Sequence, residues 1–208
     1  MPNTLKGSDY LYHHPEKRAE DLMAAFSDTS IKAIFTCIGG AESVRMLPYI
    51  DFDIIKNNPK IFIGYSDTTI THFICIKANL SSFYGASILA ELAENIKIFD
   101  YTAYWLEKTL FDASPIGLIP AAEEWTGERI EWIESNASIA KTMVKNQGYE
   151  FLQGNGVTQG RLIGGCIEVM EMIKGTSLWP PNEIFEDAIL FLETSEDMPK
   201  PIYVEHWL

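Results

Sequence analysis

One stretch constrains the fold more than any other: residues 60–73, KIFIGYSDTTITHF. An apolar run breaks at Gly64-Tyr65-Ser66, and the apolar residues then resume at helical spacing. A strand that is apolar on both faces must be covered on both faces, as in a parallel sheet. A helix directly after it is the crossover that parallel pairing requires. KAIFTCIGG followed by AESVRMLPYI repeats the pattern, with a glycine pair at the break and Pro48 expected to end a short helix. DFDIIKNNP reads as a further helical turn, SSFYG as a third short strand and residues 100–111 as an amphipathic helix. Strands alternating with helices predict an α/β fold with a parallel-sheet N-terminal domain.

Upstream, residues 16–26 carry apolar side chains on one helical face, and Pro15 is well placed to open that helix. After Asp112 the texture changes. Residues 113–150 hold prolines, tryptophans and glutamates, and read as an extended connector with hairpin-like pieces. Residues 144–165 are rich in glycine and turn signals. Cys166, Val169, Met170 and Ile173 then share a helical face, with Gly175 as its C-terminal cap. DAILFLET, residues 187–194, reads as a buried strand. The expected division is an N-terminal domain over 1–112, the connector over 113–150, and part of a smaller C-terminal α/β domain over 151–208.

The composition narrows the functions available. With 47% hydrophobic residues among 208, the chain can bury a core. A formal charge of −13 disfavours nucleic acid and anionic lipid as partners. No apolar run is long enough to cross a bilayer. Cys37, Cys75 and Cys166 are widely spaced in apolar surroundings, which reads as reduced cysteines in a cytoplasmic protein. His13, His14 and Glu16 could form a weak metal cluster or simply a polar loop. No Cys-x-x-Cys pair or phosphate-binding loop is present, so neither a metal nor an organic cofactor is implied.

The chemistry concentrates at Ser66. A residue on a strand-to-helix turn stands above the sheet, against free backbone N–H groups that favour negative charge. That suits a serine nucleophile passing through an oxyanion. It also suits a serine that merely caps the next helix. The Gly-x-Ser-x-Gly elbow is not matched, because its second glycine is missing. Gly39 and Gly40, at the end of the preceding strand, could offer backbone N–H groups to an oxyanion or could simply form a tight turn.

Residues 18–73, with Gly39-Gly40 and Gly64-Tyr65-Ser66-Asp67 in order, resemble the N-terminal domain of the LD-carboxypeptidase family, serine peptidases of the S66 type. GRLIGGCIEVMEMIKGTSLWP and AILFLETSEDMP resemble that family's C-terminal domain, closest to its microcin C self-immunity branch. The resemblance spans residues 8–208. It implies that Ser66 is the nucleophile, that the Gly40 and Asp67 N–H groups form the oxyanion hole, and that Glu193 orients a catalytic histidine. It places Gly39 among the substrate-binding residues.

None of His13, His14, His72 and His206 matches the family's histidine. The expectation is therefore a chain shortened at both ends and inactive by itself. The resemblance implies a homodimer when full length, acting on a murein tetrapeptide or on a peptidyl or aminoacyl nucleotide. Trp125 and Trp132 are the aromatics that could stack on a nucleobase or pack the connector. The competing reading is a non-catalytic remnant that binds without turnover. A nucleotide-binding α/β domain built on Gly39-Gly40 is a third.

Overall fold

The computed structural model describes residues 1–208. By its internal contacts the chain divides into two units. One joins Met1–Ser87 with Gln159–Leu208; the other is Ile88–Thr158.

The first segment opens with α1 (Ser8–His13) and α2 (Pro15–Ser27). Pro15 occupies the first turn of α2, where its missing N–H costs no intrahelical bond. Strand β1 (Ala33–Phe35) follows, then a 3-10 helix, Ser43–Tyr49. Pro48, expected to end that helix, lies inside it. A short 3-10 segment loses at most one bond to a proline, so it survives where a longer α-helix would break. Helix α3 (Phe52–Asn57) is capped by Asp51, whose carboxylate accepts the N–H groups of Asp53 and Ile54 at 2.9 and 3.3 Å. Then come β2 (Ile61–Gly64), a 3-10 turn (Ser66–Thr68), α4 (Thr69–Lys77) and β3 (Phe83–Tyr84). The three strands form a parallel sheet in the order β1-β2-β3, with Gly64 opposite Tyr84. Every residue of α4 from Thr69 to Cys75 is buried. Its buried Thr69 and His72 side chains are hydrogen-bonded, as burial requires.

The unit Ile88–Thr158 holds a π-helical turn (Ile88–Leu92) and α5 (Asp100–Phe111). It also holds a minimal antiparallel pair, β4 (Glu124–Trp125) and β5 (Val144–Lys145). Few hydrogen-bonded elements organise it. Asn95 donates to the carbonyls of Asn136 and Ile139, both at 3.0 Å, and Lys141 pairs with Glu94 at 2.6 Å.

The last segment carries β6 (Leu162–Cys166), α6 (Ile167–Ile173), β7 (Ile189–Glu193) and α7 (Pro201–Trp207). β6 and β7 are parallel, and Cys166 lies opposite Glu193. Two expectations are corrected here. Cys166 ends a strand rather than sharing the helical face, and the last residues of the glycine-rich stretch, 162–165, belong to that strand. A Cβ on Gly164 would lie 1.6 Å from the Phe191 carbonyl oxygen. The backbones meet too closely there for any side chain, so the composition of a turn conceals a strand. β7 is not fully buried: Leu190 is 49% and Leu192 37% exposed. Gly175, at φ 73°, does follow the end of α6 in left-handed geometry. One core joins the two segments of this unit. Phe26, Phe62, Ile70, Phe73 and Ile74 pack with Ile163, Cys166, Val169 and Ile173.

Candidate functional site

In a parallel sheet the carboxyl ends of the strands gather at one edge. β2 ends two residues before Ser66, β3 ends at Tyr84, and β7 ends at Glu193. These three residues meet. The Ser66 N–H donates to the Tyr84 hydroxyl at 2.9 Å and to Glu193 Oε1 at 3.3 Å. The Tyr84 hydroxyl donates in turn to Glu193 Oε1. Thr69 Oγ1 lies 3.3 Å from the same phenol oxygen and accepts the N–H of Cys166 at 3.0 Å. A contact spanning 127 residues of sequence thus brings Glu193 to Ser66.

Ser66 has φ 58°. A non-glycine residue in the left-handed region is strained and persists only where its surroundings hold it. Ser66 is the first residue of the 3-10 turn, and Tyr65 before it holds the cap position without a side-chain cap hydrogen bond. The turn is held through the Ser66 backbone N–H, bonded to Tyr84 and Glu193. Gly39 lies directly against it. A Cβ on Gly39 would fall 2.9 Å from both Ser66 Cβ and Oγ. Gly40, at φ 146°, lies beside the next residue; its Cβ would come 3.0 Å from Asp67 Oδ2.

The Asp67 side chain is fully buried and ties these loops together. Its carboxylate accepts the N–H of Glu42 at 3.1 Å, the N–H of Ser43 at 3.0 Å and the Ser43 hydroxyl at 2.6 Å. Arg18 approaches to 3.8 Å. The carboxylate so anchored fixes the Gly39-Gly40 loop on the Ser66 turn.

The sequence reading missed a third layer. His72 is buried, with Nε2 at 2.9 Å from the Gly64 carbonyl and Nδ1 at 2.7 Å from Ser82 Oγ. A carbonyl only accepts, so Nε2 carries the proton and Nδ1 accepts from the serine. The ring sits between Phe62 and Tyr84, with centroids at 5.2 and 5.1 Å. Burial lowers its pKa to about 4, partly offset by the bond to Gly64. Both nitrogens of this neutral imidazole are engaged, so it holds the strand end and cannot take a proton from Ser66. Burial, and then the bond to Glu193, raise the Tyr84 pKa. No local pattern marks either residue, because each meets the strand ends only through the fold.

Of the other candidates, His14 Nδ1 lies 3.1 Å from Glu16 and His13 Nδ1 lies 3.0 Å from the Asp9 carbonyl. His206 is exposed on α7. None of the four histidines bonds Ser66 or Glu193. Burial raises the thiol pKa of Cys75 and of Cys166 to about 12, and Cys37 is half-buried. Trp125 and Trp132 belong to the unit Ile88–Thr158 and are 54% and 62% exposed.

Comparison with known proteins identifies the family of the chain. The LD-carboxypeptidase N-terminal domain matches residues 1–85, and the LD-carboxypeptidase C-terminal domain matches residues 159–208. The Escherichia coli microcin C7 self-immunity protein MccF is 35% identical over 182 residues, covering 86% of this chain and 52% of MccF. A Streptococcus pneumoniae MccF-like protein, solved in complex with AMP, is 33% identical with a TM-score of 0.90; the match covers all of this chain and 65% of that one. MccF in complex with glutamyl sulfamoyl guanosine is 31% identical with a TM-score of 0.79, over 92% of this chain and 56% of its own. The chain spans about half the length of the curated relative. The chain belongs to the LD-carboxypeptidase family of S66 peptidases.

Proposed function

We propose that these residues carry the nucleophile half of an amide hydrolase acting on a peptidyl or aminoacyl nucleotide. Ser66 attacks the carbonyl. The N–H groups of Gly40 and Asp67 receive the developing oxyanion, and Gly39 leaves room for the acyl group. Glu193 orients the imidazole that takes the serine proton. The observation that carries this reading is the Glu193 carboxylate at the backbone of a strained serine. The Ser66 N–H is already spent on Tyr84 and Glu193. Gly40 N–H has no partner among the loop hydrogen bonds, and Asp67 stands in the first turn of a 3-10 helix, where amides lack an intrahelical acceptor, which suits both to the oxyanion. The complexes of the structural neighbours with AMP and glutamyl sulfamoyl guanosine support a nucleotide-bearing substrate over a murein tetrapeptide.

One observation favours a second reading, binding without turnover: no histidine of this chain reaches Ser66. Without a base, a triad serine loses on the order of 10⁴-fold or more in rate. The 208 residues by themselves are accordingly expected to be nearly inactive. Free imidazole, added at tens of millimolar on the order of its use as a small buffer base, separates the two readings. Imidazole-dependent cleavage of an aminoacyl-nucleotide amide, lost in Ser66→Ala, supports the hydrolase. Ligand binding with no imidazole-dependent cleavage supports the remnant. Faster cleavage of a murein LD-tetrapeptide than of the nucleotide would reverse the substrate assignment.

A further inference from the structure

Glu193 reaches the nucleophile turn through a third side chain. Tyr84 ends β3, in register with Gly64, and its hydroxyl sits where the ends of β2 and β7 converge. That hydroxyl accepts the Ser66 N–H and gives its own proton to Glu193 Oε1. The ring is held from two sides: His72 at a centroid distance of 5.1 Å, and Phe191, from the strand that carries Glu193, at 5.2 Å. His72 is itself fixed by the Gly64 carbonyl and Ser82. The phenol is thus fixed by both strands whose ends it joins.

We infer that Tyr84 is a positioning residue that locks the Glu193 carboxylate to the Ser66 turn, through one hydroxyl that accepts from Ser66 N–H and donates to Glu193 Oε1. The inference rests on the reading of Ser66 and Glu193 as a reactive pair. Two consequences follow from the hydrogen-bond directions. The Ser66 amide is removed from the oxyanion hole, which leaves that work to Gly40 and Asp67. Oε1 is committed to Tyr84 and to the Ser66 N–H, so Oε2 is the oxygen left to accept from an imidazole. Without the phenol, the carboxylate keeps only the 3.3 Å bond to the Ser66 N–H and gains rotational freedom at the end of a half-exposed strand. The strained φ of Ser66 loses its shorter restraint at the same time.

Tyr84→Phe removes one oxygen and keeps the ring between His72 and Phe191. The first readout needs no activity: the amide resonance of Ser66 in the ¹⁵N-labelled chain. It is expected to move upfield and to exchange about tenfold faster, as suits loss of one hydrogen bond, while the α4 amides stay protected. The second readout is the imidazole-supported cleavage described above. The expected result is kcat lower by about tenfold to a hundredfold with KM within about twofold. A Ser66 amide that does not move overturns the inference, and so does a kcat that survives after the amide has moved. Should Tyr84→Phe not fold, Tyr84→3,5-difluorotyrosine keeps the shape and weakens the phenol as an acceptor. The same upfield shift is then expected, and its absence is equally decisive. Absence of turnover in the unsubstituted chain is read before any variant and counts against the hydrolase reading, while the Ser66 amide still decides whether Tyr84 makes the link.

Discussion

Ser43 gives both its backbone N–H and its hydroxyl to the buried carboxylate of Asp67, at 3.0 and 2.6 Å. Asp67 directly follows Ser66, and Ser43 lies just beyond Gly39-Gly40. This pair therefore fixes the distance between the two loops on which the proposed chemistry depends. Removing the acceptor would strand two N–H groups and a hydroxyl in a fully buried place. Asp67→Ala is expected to lose about 3 kcal/mol of unfolding free energy, and Ser43→Ala about 1 kcal/mol. Urea denaturation at neutral pH measures both. Equal, small losses would mean that the carboxylate is not the anchor.

His72 predicts a pH dependence. Its pKa falls from 6.5 to about 4 on folding because burial disfavours the charged ring. The unfolded state therefore binds the proton more tightly, and stability falls as pH drops. The contribution is fully present above about pH 6.5, is lost progressively down to about pH 4, and changes no further below that. A depression of this size corresponds to roughly 3 kcal/mol. The change in urea midpoint between pH 7 and pH 4.5 should be clearly smaller in His72→Gln than in the unsubstituted chain. An unchanged pH slope would assign the acid sensitivity to carboxylates instead.

Gly64 illustrates a close approach that a residue pattern conceals. A Cβ there would sit 2.3 Å from Thr36 Oγ1 and 2.8 Å from Thr68 Oγ1. Gly64→Ala is expected to cost about 2 to 3 kcal/mol by overpacking between adjacent strands. Thr36→Ala removes the nearest atom, so the double variant should regain more than half of that loss, a coupling readable from a double-mutant cycle. Strict additivity would show that the strain lies elsewhere.

Much of the N-terminal sheet was legible because periodicity reports burial directly. The run that became β2 and the well-buried helix α4 were both visible. So was the break at Ser66, since a strand and a helix cannot share one residue pattern. What stayed hidden depends on distant partners. The identity of β6 is obscured by Gly164 and Gly165, which are there because Phe191 and Thr69 come too close for side chains. The half-exposure of β7 is not encoded in ILFLE, whose residues are apolar on both faces. Glu193 was placed by resemblance, but its link through Tyr84 joins residues 109 positions apart, and no local pattern announces it. His72 reads as one more residue of a helix until the Gly64 carbonyl is seen at its ring.

The last prediction concerns the exposed tryptophans. A surface Trp at 62% exposure, as at Trp132, offers a flat apolar face that water solvates poorly and a nucleobase can cover. Trp132 also lines one hollow with the ion-paired Glu94 and Lys141. Stacking of one base is worth about 1 to 3 kcal/mol. If the proposed nucleotide-bearing substrate is right, AMP should quench tryptophan fluorescence in this chain. Trp132→Ala should weaken AMP binding by roughly tenfold or more, in line with loss of one stacked base. Trp125→Ala, at 54% exposure, tests whether the second ring shares the work. Were Trp132 only packing its own unit, its removal would lower the thermal midpoint and leave AMP affinity unchanged. Calorimetry and a melting curve on the same samples separate the two outcomes.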